Sequence, residues 1–201
     1  LELLRACVKE LPERDTVVAR QLLEDVGHHA LACEVLGARL ATASIEELRQ
    51  QLADKKRDAL AFAAEFANEL PHGQQANVSV LLFTSIEMVA DDGRDFLRLA
   101  SVLSAEPIPG QIVRGVFEKL GRAGHHADLG LDQAQKLSLA RKTDAYTWSV
   151  HALVARAVRF RDEQSCILAV LEAFIAYLAT RLSIVGDIRE HKGLRHEVVH
   201  G

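Results

Sequence analysis

Between Tyr146 and Val158 the hydrophobic pattern changes period. Tyr146, Trp148 and Val150 alternate with Thr147, Ser149 and His151, the two-residue repeat of a strand with one apolar face. From His151 onward Leu153, Val154, Ala157 and Val158 recur at helical spacing. Any fold for this chain must therefore hand a strand over to a helix at His151. There an imidazole lies beside unpaired backbone N–H groups and the positive end of a helix dipole, a setting suited to an anion such as phosphate. Most histidines at such a position are structural, capping the helix or packing the hairpin.

Most of the remaining chain reads as helix. Leu1 to Lys9 gives a short helix, broken by Pro12. Asp15 is placed to cap a helix carrying Val17, Val18, Leu22 and Leu23, which closes near Gly27. Another helix carries Leu31, Val35, Leu36 and Leu40, and Ser44 with Glu47 forms a capping-box start for a helix through Leu48 and Leu52. Residues 55–76 are polar and alanine-rich, and Pro71-His72-Gly73 marks a break where a domain boundary is expected. Apolar helices follow at Val78–Val89 and Phe96–Leu103, and Pro107-Ile108-Pro109-Gly110 stops the second. Ile112–Leu120 is a further helix with Gly121 as its C-cap, and Leu129–Gln135 a short one. Leu137–Arg141 and Tyr146–Val150 read as two strands around a turn. Three helices followed by a hairpin is the element order of a winged helix, a relative of the helix-turn-helix. The expected class is thus mainly α: a helical bundle over residues 1–75, a winged-helix domain with a small β-hairpin over 76–159, and C-terminal helices over 160–201.

The 49% share of apolar residues argues against disorder. A net charge of −4 argues against a general nucleic-acid binder. Cys7, Cys33 and Cys166 are odd in number and form no CxxC pair, so they read as reduced thiols of a cytoplasmic protein. The start has the wrong charge order for a signal peptide, and its first residue is not Met, so a longer parent chain is expected. Ser165–Thr180 is nearly charge-free but contains Glu172; it reads as too short to span a bilayer and as a largely buried helix.

Two further motifs invite chemistry. His196-Glu197-Val198-Val199-His200 matches the H-E-x-x-H zinc-hydrolase pattern, with two histidines on one helix face and Glu197 as general base. Against it, no third ligand follows and the preceding residues are charged and interrupted by glycine. In the winged helix, Gln111–Leu120 is the candidate recognition helix for DNA, but it offers only Arg114 and Lys119 against Glu118. His28 and His29 stand at a helix start that could meet an anion, though a solvated first turn explains them better.

Three segments in this order carry a family resemblance. Val26 to Gly37 (VGHHALACEVLG) is similar to a GLPLAL-x-VLG helix start, Phe96 to Pro109 to a first winged-helix segment with trailing proline, and Val150 to Val154 to a Met-His-Asp-Leu-Val motif. Together, over about residues 1–160, they resemble the C-terminal part of an NB-ARC module, the nucleotide switch of STAND-type signalling ATPases. The resemblance implies that an upstream P-loop domain holds ATP or ADP and its magnesium, while the helical bundle covers adenine and sugar. It places His151 on the β-phosphate of ADP, Ala30 and Leu31 at the adenine-facing pair, and Gly27 at the start of that motif. The chain departs from the family at Ala30, where proline is usual, and at Ala152, where aspartate is usual. It contains no G-x-x-x-x-G-K-[ST], so ATP hydrolysis by this chain alone is not expected. The implied partners are the P-loop domain, a downstream tetratricopeptide-like repeat sensor and, on activation, further copies; neither a membrane nor nucleic acid is expected. The competing readings are a winged-helix transcription regulator and a zinc hydrolase using His196, Glu197 and His200.

Overall fold

The computed structural model describes residues 16–54, 57–65 and 74–184. The expected helix at Leu1–Lys9, the Asp15 cap, the Pro71-His72-Gly73 break and the His196–His200 motif lie outside the described residues. Contacts divide the chain into two units, Leu1–Met88 with Lys136–Ser138, and Val89–Gln135 with Leu139–Gly201.

The described part of the first unit holds five helices: α1 (Thr16–Asp25), α2 (Ala30–Leu40), α3 (Ile45–Ala53), α4 (Arg57–Glu65) and α5 (Gln75–Glu87). α1 ends in a Schellman turn. Gly27 N–H donates to Glu24 O at 2.9 Å and His28 N–H to Leu23 O at 2.9 Å, with Gly27 at φ +63. α3 starts with the expected capping box, Ser44 Oγ accepting from Glu47 N–H and Glu47 Oε2 from Ser44 N–H. α5 is the centre of this unit. Val78, Val80, Leu81, Leu82, Phe83 and Ile86 are all buried, so the helix is apolar all round and packs against α2, α3 and α4. Phe83 meets Phe62 of α4 with ring centroids 5.3 Å apart. The contacts therefore do not divide at residue 75: α5 belongs to the bundle, because its burial requires the helices before it. Within the polar, alanine-rich stretch, α4 forms because Ala59, Phe62 and Ala63 recur on one buried face.

The second unit follows the order α6 (Asp91–Val102), β1 (Ile108–Pro109), α7 (Gly110–Lys119), α8 (Gly124–Lys136), β2 (Ala140–Lys142), β3 (Thr147–Val150), α9 (Ala152–Arg161) and α10 (Gln164–Ile184). The sheet has strand order β1-β3-β2 and is antiparallel throughout, with Ile108 opposite Trp148 and Ala140 opposite Val150. Helices α6, α7 and α8 with this sheet complete a winged-helix element order. The segment around Pro107 does more than stop a helix: it adds β1 to the hairpin. Leu137 to Leu139, expected as strand, closes α8 instead; Leu139 N–H donates to Ala134 O at 3.0 Å and its side chain is buried.

Residues from Phe160 onward do not form a separate segment within the described part. α9 packs on α6, and α10 packs on α6 and α7 in the same unit. α10 also departs from its expected character. Gln164–Ser183 is long and apolar enough to cross a membrane by length and composition, and only 28% of that apolar stretch is buried. Ile167, Val170, Ala173, Phe174 and Tyr177 face the core, while Leu168, Ile175 and Leu182 on the other face are exposed.

Candidate functional site at the end of the wing

β3 runs through Val150, and His151 follows as the N-cap of α9 in extended conformation, φ −66 and ψ 140. The backbone switches there because Leu153 and Val154 must turn into the core while Thr147 to Val150 stay paired in the sheet. Val154 and Ala155 N–H groups donate to His151 O at 2.9 and 3.1 Å. The imidazole completes the cap: Leu153 N–H donates to His151 Nδ1 at 3.2 Å. That bond has a chemical consequence. An accepting Nδ1 carries no proton, so the neutral ring holds its proton on Nε2, the atom that could donate to a phosphate oxygen. The side chain is exposed at the start of a helix dipole.

The other residues assigned by resemblance lie at one corner of the first unit. Gly27 forms the turn, and a Cβ there would sit 1.8 Å from Gln74 Oε1. Ala30 is the exposed first residue of α2, and Leu31 is buried in the core. Gly27 and Leu31 thus have structural duties of their own. His29 is the N-cap of α2, φ −63 and ψ 124, with no side-chain capping bond.

The reading of Gln111–Leu120 as the groove-entering helix needs correction. That segment is α7, the second helix of the unit. In a helix-turn-helix the recognition position belongs to the following helix, here α8. Its exposed positions include Asp128, Leu129, Asp132 and Gln135, and Arg114 of α7 is tied to Asp128 at 2.8 Å. Two carboxylates there repel a phosphate backbone.

A charged network missed in the sequence runs through the second unit. Asp92 in the first turn of α6 accepts from Arg122 Nη1 at 2.7 Å and meets His126 Nδ1 at 2.8 Å. Arg122 continues to Asp95 at 2.6 Å; Arg98 joins Asp95 at 2.7 Å and Asp162, the C-cap of α9, at 2.6 Å. Burial resists ionisation of Asp92, but the hydrogen bonds and charges of His126 and Arg122 outweigh it and hold the carboxyl below its ordinary range. Burial likewise opposes the Arg98 charge, and Asp95 and Asp162 overcome it, raising that group. The available signal was the spacing of Asp92, Asp95 and Arg98, three residues apart along one helix face. In the first unit Arg39 is buried at the end of α2, and burial lowers its pKa against the opposing pull of Glu87. Its Nη2 donates to Gln51 Oε1 at 2.8 Å.

Among the described residues no group of three or more His, Cys, Asp or Glu side chains is placed to hold a metal ion. Comparison with protein-family models, curated proteins and solved structures finds no match for this chain.

Proposed function

We propose that this chain is the regulatory, ADP-sensing portion of a STAND-type signalling ATPase, closing over nucleotide held by an upstream P-loop domain. The observation that carries the reading is the cap at His151: a strand-to-helix histidine, exposed, with Nδ1 used by the backbone and the proton therefore on Nε2. The winged-helix element order that delivers it, α6-β1-α7-α8-β2-β3, supports the same reading. In this role His151 senses nucleotide and performs no bond chemistry. ADP favours the closed arrangement only by its differential affinity for it, and a ligand at the downstream repeats opens it.

The test is made in the full-length protein and separates the two jobs of the ring. His151→Asn keeps a side-chain acceptor for the helix start and loses the imidazole N–H. The variant should keep its thermal stability, purify with less bound ADP and signal without stimulus. Wild-type ADP content in both His151→Asn and His151→Ala would sink the assignment.

A further inference from the structure

We draw no further inference here: the strongest candidate, the outward face of α10 on which Leu168, Ile175 and Leu182 are exposed, is an unpartnered apolar stripe, and nothing in the structure shows what covers it.

Discussion

The tripeptide His-Ala-Leu occurs at two helix starts, His29-Ala30-Leu31 in the first unit and His151-Ala152-Leu153 in the second. Both histidines are N-caps with nearly the same extended backbone, both alanines are exposed, and both leucines are buried. Yet only His151 uses its ring as the helix cap: Leu153 N–H is capped by Nδ1, whereas α2 has no side-chain cap. What differs is the approach. His151 arrives from a paired strand, while His29 arrives from the Schellman turn at Gly27, with His28 also in the left-handed region. Three identical residues thus have two outcomes, because the direction in which the chain enters the helix decides where the imidazole is carried.

The largest expected effect comes from disturbing the entry into α2. Gly27→Val puts a β-branched side chain at φ +63 and a Cβ against Gln74, and should cost about 2–3 kcal/mol in urea unfolding. A loss under about 0.5 kcal/mol would show that the turn does not set this corner.

Another helix start is held by charge rather than by a cap. Ala90, the N-cap of α6, offers no capping side chain, and Asp92 in the first turn is held by Arg122 and His126. Asp92→Asn should cost about 1–2 kcal/mol, since two charge-assisted contacts weaken at a partly exposed site. The pH dependence follows from the direction of the shift. A carboxyl depressed in the folded state adds stability that is complete above its ordinary value of 3.8 and is lost as pH falls through the lower folded value. The wild type should therefore lose more stability on acidification over that interval than Asp92→Asn does. Parallel pH–stability curves for the two would refute the role given to Asp92.

The two histidines give the smaller effects and test the comparison directly. His151→Ala removes a working cap and should cost about 1 kcal/mol, with His151→Asn recovering most of it. His29→Ala removes no capping bond and should cost at most a few tenths of a kcal/mol from that source. Equal losses at the two positions in thermal melts would mean that the Nδ1 bond at His151 contributes nothing.

Local punctuation was legible in the residues themselves. The Ser44–Glu47 capping box, the glycine closures at Gly27 and Gly121, and the strand-to-helix switch at His151 each depend on groups within a few positions of one another. The placement of α5 was not legible, because an apolar helix does not state which neighbours will bury it. Nor was the third strand: Ile108-Pro109 carries too little pattern to announce a strand until Trp148 and Thr147 stand opposite. The charged network escaped for the same reason, since Asp92, Arg122, His126 and Asp162 meet only after three helices have packed.

Periodicity and caps alone therefore determined the mainly helical class, the small hairpin and the turn from strand to helix at His151. Tertiary structure decided which unit claims α5, that α6, α7 and α8 are the helices grouped with the three-stranded sheet, and that the His151 ring caps α9. It also brought Asp92, Arg122 and His126 together. The division follows from range: hydrogen bonds and backbone preferences act within a turn or two of chain, whereas burial and ion pairing depend on surfaces that meet only once the chain has folded.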